Sequence, residues 1–131
     1  MSRSGYSDDN SDSLALINWR GAVKSALRGR RGQTFLRELA NTLDAMPYKR
    51  ISAGSFKHEN GCYCTLGAMG AARGIDMTEF DRNPDDIDTS ALGLILGIAP
   101  AMAQEIMFLN DEAYAWQCRQ AADPDARRWE L

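Results

Sequence analysis

Apolar residues recur at intervals of three and four in two consecutive segments near the N-terminus, and this spacing restricts the fold more than any other feature. It places apolar side chains along one face of an α-helix. The first set comprises Leu16, Trp19, Ala22, Val23, Ala26 and Leu27, and the second comprises Phe35, Leu36, Leu39, Ala40, Leu43 and Met46. Gly29-Arg-Arg-Gly32 separates the sets, and Pro47 ends the second. The sequence therefore predicts an αα-hairpin joined by Gly-Arg-Arg-Gly.

The helical spacing is lost between residues 50 and 64. Ile51 to Phe56 and Cys62 to Cys64 flank Asn60-Gly61, a dipeptide that favours a tight turn between antiparallel strands. We therefore expect a two-stranded β-hairpin in this part of the chain.

The second half is expected to be helical. Small residues from Thr65 to Arg73 predict a buried central helix that its neighbours approach closely, and Gly74 fits its C-terminal cap. Caps and prolines predict further helices: a start at Asp76 with Glu79, a helix over Asp85 to Leu96, one from Pro100 with Met102, Ala103, Ile106 and Leu109 facing inward, and one from Asp123-Pro124-Asp125.

Length and composition fit a single domain. The chain has 131 residues, of which 44% are hydrophobic and 25% charged, as in ordinary globular proteins. Residues 1–12 are polar and predict a flexible arm. Residues 13–131 then form one mostly α domain, a compact multi-helix bundle with one short β-hairpin near 50–64. With no long apolar run and no signal peptide, we expect a cytoplasmic protein.

Charge is distributed unevenly along the chain. Residues 19 to 50 carry eight Lys or Arg against two acids, whereas the net charge of the whole chain is −3. The remaining residues are therefore acidic in sum. Such polarity bears on binding and association rather than on the fold.

A basic stripe follows from the spacing within the first helix. Arg20, Lys24 and Arg28 lie four residues apart and so share one flank, and they lead to Arg30 and Arg31. These five residues are candidates for binding an acidic partner. The alternatives are contact with phosphate, which the sequence pI of about 5.1 disfavours, and an ordinary solvated helix face.

Four side chains are possible soft metal ligands: His58, Cys62, Cys64 and Cys118. Their spacing does not match the paired Cys-x2–4-Cys of zinc ribbons and fingers. We therefore expect packed, free cysteines, with no metal and no cofactor.

Cys64 also offers a nucleophile at a helix start, where His58 and Asn110 would complete a Cys-His-Asn site. Its apolar neighbours instead favour a packed core residue. Asn110-Asp111-Glu112 favour a turn or cap, and the alternatives are a polar pocket beside the Cys64 helix or a second partner-binding surface.

With these segments in place, the chain resembles a family of small, functionally uncharacterised proteins of tailed phages and prophages. The resemblance covers nearly the whole chain. It is carried by Ser4 to Asp9, more loosely by Trp19 to Ala26, and by Arg30 to Glu38, Asp44 to Pro47, Cys64 to Ala68, Arg73 to Met77, Gly97 to Pro100, Glu105 to Met107 and Asn110 to Glu112.

The resemblance implies a phage origin and no established activity. We expect a non-enzymatic protein that binds and modulates a host protein complex, as an inhibitor of a bacterial defence system such as CRISPR. The alternatives are a nucleic-acid-associated accessory protein that uses the basic stripe, and a small Cys-centred hydrolase or ligand-binding domain.

Overall fold

Helices make up most of the chain in the computed structural model, which describes residues 13–47, 49–58, 61–82, 87–113 and 115–130, with side chains from residue 18 onward. The predicted mostly α fold is confirmed. The predicted arm over residues 1–12 and the cap at residues 83–86 lie outside the described residues. The elements are α1 (Ser13–Arg28), α2 (Arg30–Asp44), α3 (Thr65–Ala72), α4 (Thr78–Asp81), α5 (Thr89–Leu96), α6 (Pro100–Phe108), a π-turn (Leu109–Ala113), α7 (Ala115–Gln120) and α8 (Pro124–Glu130).

Helix α6 holds the core together, because it packs against α1, α3 and α5. Its sequence has apolar side chains on more than one face, as a helix needs when it has neighbours on several sides. The largest fully buried side chains come from α2, α3, α5, α6, α7 and the segment before α3: Phe35, Phe56, Cys64, Leu66, Met69, Leu92, Leu96, Met102, Met107 and Cys118.

The connection between α1 and α2 is shorter than the predicted Gly-Arg-Arg-Gly. Only Gly29 interrupts the helices, and Arg30 already begins α2. Gly32 is buried inside α2, where a Cβ atom would lie 1.9 Å from the carbonyl oxygen of Ala26. Gly32 therefore allows close contact between the helices and does not form a turn. Because α2 begins at Arg30, Arg30 and Arg31 lie in its first turn.

The prediction of a two-stranded β-hairpin near residues 50–64 is wrong. The described residues contain one isolated antiparallel bridge, between Lys57 and Tyr63, and no named strand. A turn survives at its tip, where the amide of His58 donates to Cys62 O at 2.8 Å and Gly61 has a φ of 85°. The chain from Ile51 to Phe56 follows an irregular path.

The irregular path has a physical cause. The amide of Ser52 donates to Tyr63 O at 2.9 Å and the amide of Cys64 to Phe56 O at 3.3 Å, but side chains from distant elements take other backbone hydrogen bonds that a partner strand would make. Asp81 accepts from the amides of Phe56 and Lys57, at 2.8 and 3.1 Å. Asp111 accepts from the amide of Gly54 at 3.1 Å. Asp81 and Asp111 lie outside residues 50–64, so strand and turn propensities within that segment do not reveal these hydrogen bonds.

Close backbone approach at α3 agrees with the prediction for its glycines. A Cβ atom on Gly67 would lie 1.9 Å from the carbonyl oxygen of Phe56. Residues Leu66 to Gly70 are all buried. The irregular segment therefore rests directly on the backbone of α3.

Two boundaries in the second half differ from the prediction. Helix α5 starts at Thr89, not at Asp85, and the side chain of Asp88 caps it by accepting from the amide of Ala91 at 3.0 Å. Near the predicted capping box, Asp76 accepts from the amide of Thr78 at 3.0 Å and α4 has only four residues. The predicted ends and starts at Gly97, Pro100 and Pro124 are confirmed.

The last helix closes back onto the middle of the chain. The amide of Ile51 donates to Asp125 O at 3.0 Å, and Arg128 Nη1 donates to Ile51 O at 2.9 Å. Trp129 Nε1 donates to Leu43 O at 3.2 Å. Helix α8 is thus fastened both to α2 and to the irregular segment.

Across the described residues, no single helix is both long and apolar enough to cross a membrane. Thr89–Leu96 and Pro100–Gln120 meet the length and composition test only as a pair, bent by 99° where they join. Many of their apolar side chains, such as Leu92, Met102 and Met107, are buried in the core.

We predict that Gly67→Ala destabilises the protein, by about 1–3 kcal/mol, because the new methyl group meets the Phe56 backbone and the core must shift to accept it. Gly21→Ala is the matched control, since Gly21 lies in α1 with no atom within 4 Å of an added Cβ. That change should stabilise by up to about 1 kcal/mol. Urea unfolding measures both, and equal effects of the two substitutions would contradict the close contact.

Candidate functional site

Five exposed cationic side chains lie along α1 and in the first turn of α2. Arg20, Lys24 and Arg28 are exposed along α1, and Arg30 and Arg31 are exposed in the first turn of α2. We call these five residues the basic face. All five basic residues that the sequence selected are thus exposed on α1 and at the start of α2, and their use as one binding surface stays a prediction.

The position of Arg30 and Arg31 works against helix stability. Positive charge is unfavourable at a helix N-terminus, where the macrodipole is also positive, by roughly 0.3–1 kcal/mol per charge. Helix α2 has no acidic residue in its first turn, and Gly29 makes no side-chain cap. The needs of the helix therefore do not account for these two arginines, and the positive potential at this end of α2 is strong.

An apolar patch lies beside the basic face. Leu94 and Ile95 in the last turn of α5 are 84% and 44% exposed. They border a groove of about 440 Å³ between α5 and the start of α2. We call it the α2–α5 groove; its lining is Arg30, Arg31, Thr34, Phe35, Arg73, Leu94, Ile95, Leu96 and Gly97.

Sequence reasoning missed Leu94 and Ile95 because α5 is apolar throughout its last turns. The signal was nevertheless present. If Leu92 and Leu96, four residues apart, face the core, then residues 94 and 95 must turn outward. Gly97, with a φ of 76°, ends the helix directly after them.

Arg73 fixes one wall of the α2–α5 groove by linking three helices. Its guanidinium donates to both carboxylate oxygens of Glu38 on α2, at 2.9 and 2.6 Å, and to Leu96 O on α5 at 2.8 Å. It also lies over the ring of Phe35, 5.4 Å from the centroid. The wall is therefore preformed.

The hydrogen-bonded pair of Glu38 and Arg73 changes the pKa of both groups. The hydrogen bonds from Arg73 lower the pKa of Glu38, and the bonds to Glu38 raise the pKa of Arg73. Because the pKa of Glu38 is lower in the folded than in the unfolded chain, the pair stabilises the fold above the ordinary glutamate pKa of about 4.3. That contribution is lost as the pH falls through the folded pKa.

We expect Glu38→Gln to lower stability at pH 7 by less than about 1 kcal/mol, since the Glu38 side chain is 44% exposed and solvent screens the pair. The difference from wild type should vanish once the pH is below the folded pKa of Glu38. Thermal unfolding from pH 7 to pH 3 measures this. In an Arg73→Gln background the same substitution should have no pH-dependent effect, and a persistent one would refute the assignment to Arg73.

Asn110 occupies a different part of the molecule, where it joins three segments. It is buried, and its Oδ1 accepts from the amide and the hydroxyl of Thr65 at 2.9 and 2.7 Å. Its Nδ2 donates to Ser52 O at 2.9 Å and to Asp111 Oδ1 at 2.7 Å. The predicted turn or cap on nearby backbone groups is therefore not what these bonds form, because the backbone groups that Asn110 binds lie 45 and 58 residues away in sequence.

The two neighbours of Asn110 share its location. Asp111 accepts from Gly54, as described above, and Glu112 lies half-buried on the same π-turn. The described bonds of Asn110 and Asp111 run to the irregular segment and to α3. The structure thus separates these candidates from the basic face and gives Asn110 and Asp111 a structural task.

Leu109 was predicted to face inward and is instead 43% exposed. The inner position in that turn belongs to Asn110, which lies one turn after Met107 and two turns after Ala103. A polar residue in the buried stripe was not anticipated, because its partners come from residues 52 and 65.

We predict that Asn110→Asp destabilises the protein by about 1–3 kcal/mol at pH 7, because the carboxylate cannot donate to Ser52 O and leaves that buried carbonyl unsatisfied. The new charge also faces Asp111. Glu112→Gln on the same turn is the control and should change stability by less than about 0.5 kcal/mol. Urea unfolding midpoints that move equally would contradict the role assigned to Asn110.

The thiol and histidine candidates are occupied by packing and backbone contacts. Cys64 is buried and its Sγ accepts from the amide of Gly67 at 3.3 Å, which caps α3. His58 Nε2 donates to Ala53 O at 2.8 Å. Cys118 is buried on α7, and the described part of the chain contains no group of three potential metal ligands.

A second concave surface lies between α2 and α3. This groove of about 700 Å³ is mainly apolar, with Met46, Pro47, Cys62, Tyr63, Ala68 and Ala71 among its lining residues. Its size is in the range of small-molecule sites. It includes Cys62 but not the proposed nucleophile Cys64.

Comparisons with protein-family models, with curated proteins and with solved structures give no match for this chain.

Proposed function

We propose that the protein is a non-enzymatic binding protein that docks on a host protein complex through its basic face. The observation that carries this proposal is that the exposed Arg30 and Arg31 line the same groove as the exposed Leu94 and Ile95. Three further cations, Arg20, Lys24 and Arg28, are exposed on the preceding helix. Protein interfaces combine apolar anchors with a polar, charged rim. This surface offers both.

A protein partner is favoured over nucleic acid for two reasons. The chain as a whole is acidic, with a net charge of −3, and so repels a polyanion at longer range. Phosphate contacts also need no exposed leucine beside the arginines. The nucleic-acid-associated function remains the alternative for this surface.

The purpose of the binding follows from the resemblance of the sequence to small proteins of tailed phages and prophages. We propose that the protein acts in the cytoplasm of the bacterial host and inhibits a defence complex such as a CRISPR effector. Steric or electrostatic blocking requires a binding surface and no catalytic group. The burial of Cys64 and the backbone contact of His58 support this over a Cys-centred hydrolase.

The groove between α2 and α3 favours a second candidate function, the binding of a small apolar ligand. Its floor is formed by small side chains on α3, such as Ala68 and Ala71. Such a ligand would raise the melting temperature of the protein by mass action. A screen of small apolar compounds that gave no such rise would remove this alternative.

The basic face is tested by reversing Arg20, Lys24 and Arg28 to Glu together. We expect the fold to survive, because exposed charges shift stability by about 0.5 kcal/mol or less. Capture of the partner from a bacterial host lysate should be lost or weakened. With the purified partner, the association rate at low salt should fall first, since charges at the rim of an interface steer the encounter.

The control for net charge is a variant with the same number of reversals elsewhere, at Arg82, Arg119 and Arg127, which are exposed outside the basic face. It should bind normally. Titration of the wild type and of the first variant with generic DNA and RNA tests the nucleic-acid alternative. If that alternative holds, the first variant loses affinity for all sequences alike, and the slope of log affinity against log salt concentration decreases by about one per lost phosphate contact. If the first variant binds its partner at an unchanged rate and affinity, the basic face is only a solvated surface.

A further inference from the structure

We propose that the α2–α5 groove receives an acidic peptide segment of the partner, whose large apolar side chain inserts between Leu94 and Ile95 while its carboxylates pair with Arg30 and Arg31. This inference rests on the proposed function and specifies the chemistry of the partner.

The exposure of Leu94 is the first step. At 84%, this leucine contributes little to the core, and it stands in a turn whose neighbours Leu92 and Leu96 are fully buried. The buried pair anchors α5 and therefore holds Leu94 and Ile95 in place at the surface. A helix backbone that is already held in this way is suited to binding, because covering Leu94 and Ile95 orders only their side chains and no backbone.

The shape of the surface is the second step. The groove is shallow and open to solvent, with a volume of about 440 Å³, and the buried Phe35 and Leu96 are among its lining residues. Such a volume is enough for one or two side chains of a peptide segment. Binding to a lipid bilayer is therefore one outcome of the test below.

Charge is the third step, and it selects the character of the segment. Arg30 and Arg31 line the groove and are exposed at the positive end of α2. Arg73 is already paired with Glu38, so Arg30 and Arg31 are the guanidinium groups available to a ligand carboxylate. Arginine suits this task because it binds a carboxylate through two parallel hydrogen bonds.

The same charges disfavour a second copy of this chain in a symmetric dimer. A two-fold interface places the same surface on both sides. Both sides would then carry Arg30 and Arg31, and the described lining of the groove includes no acidic residue to pair with them, so the like charges would repel. The complementary occupant is therefore an acidic segment of another protein.

The test uses a random library of 12-residue peptides displayed on yeast, selected for binding to the purified full chain. We expect enrichment of peptides that combine Asp or Glu with Leu, Ile, Met or Phe. The affinity of an enriched peptide, measured by fluorescence anisotropy, should fall about tenfold or more in Leu94→Ser and in the double variant Arg30→Glu/Arg31→Glu.

Two controls keep this result specific. Trp116→Ser removes another exposed apolar side chain, 64% exposed on α7, and Arg119→Glu reverses an exposed charge on the same helix. Both should leave the affinity within about twofold. Leu94→Ser is expected to fold normally because Leu94 is exposed, and its melting temperature checks this.

Several outcomes would overturn the inference. These are the absence of enriched peptides, enrichment of basic ones, or unchanged affinity in Leu94→Ser. Preferential binding to vesicles of phosphatidylcholine and phosphatidylglycerol would assign the patch to a membrane. Self-association that Leu94→Ser abolishes would assign it to a second copy.

Failure here is distinguishable from failure of the proposed function. If reversing Arg20, Lys24 and Arg28 abolishes partner capture while Leu94→Ser binds peptides as wild type does, the basic face stands and the groove is not its anchor. If that reversal leaves partner binding unchanged, the proposed binding role of the basic face is refuted, regardless of what the α2–α5 groove binds.

Discussion

The fold depends on how the backbone between Ile51 and Lys57 satisfies its hydrogen bonds. This segment lies against α3 so closely that water is excluded from part of it, and buried backbone groups without partners are costly. Several other parts of the chain provide the partners, among them Asp81 on α4, Asn110 with Asp111 on the π-turn, and Asp125 O with Arg128 on α8. Because Asn110 also holds the amide of Thr65, one amide side chain joins the irregular segment, α3 and the C-terminal third of the chain.

This arrangement leaves the surface at the α1–α2 corner with few structural duties. The network around Asn110 and the core around α6 fix the fold, whereas the basic face and the exposed leucine of α5 add little to either. Stability and binding are thus assigned to different residues. A surface organised in this way tolerates changes of charge that would be damaging near Asn110, so it is free to follow the requirements of a partner.

The sequence was sufficient for the parts of the structure governed by local rules. Helical spacing predicted α1 and α2, capping residues and prolines located several helix ends, and the glycines of α3 indicated close approach. The basic face also followed from spacing, since Arg20, Lys24 and Arg28 lie on one flank of a regular helix. The errors have a common origin in tertiary contacts. The supposed hairpin over 50–64 is held by side chains up to 77 residues away in sequence, and Gly32 is buried inside α2 where the backbone of Ala26 approaches it closely. Neither contact leaves a mark on the local pattern, and the α2–α5 groove exists only once α2, α3 and α5 meet.

The π-turn at Leu109–Ala113 carries a further consequence for the C-terminal helices. A π-turn holds one more residue per turn than an α-helix, and each residue of an α-helix advances the direction of its side chains by about 100°. The extra residue therefore sets the rotational phase of α7, and with it the inward direction of Cys118 and the start of α8. Removing one residue here would restore a regular pitch but turn α7 by roughly a quarter of a revolution. The hydrogen bonds of Asp125 O and of Arg128 with the backbone of Ile51 could then no longer form. The π-turn thus fixes the rotation of α7 about its axis. A single insertion or deletion in it would change the orientation of α7 and α8.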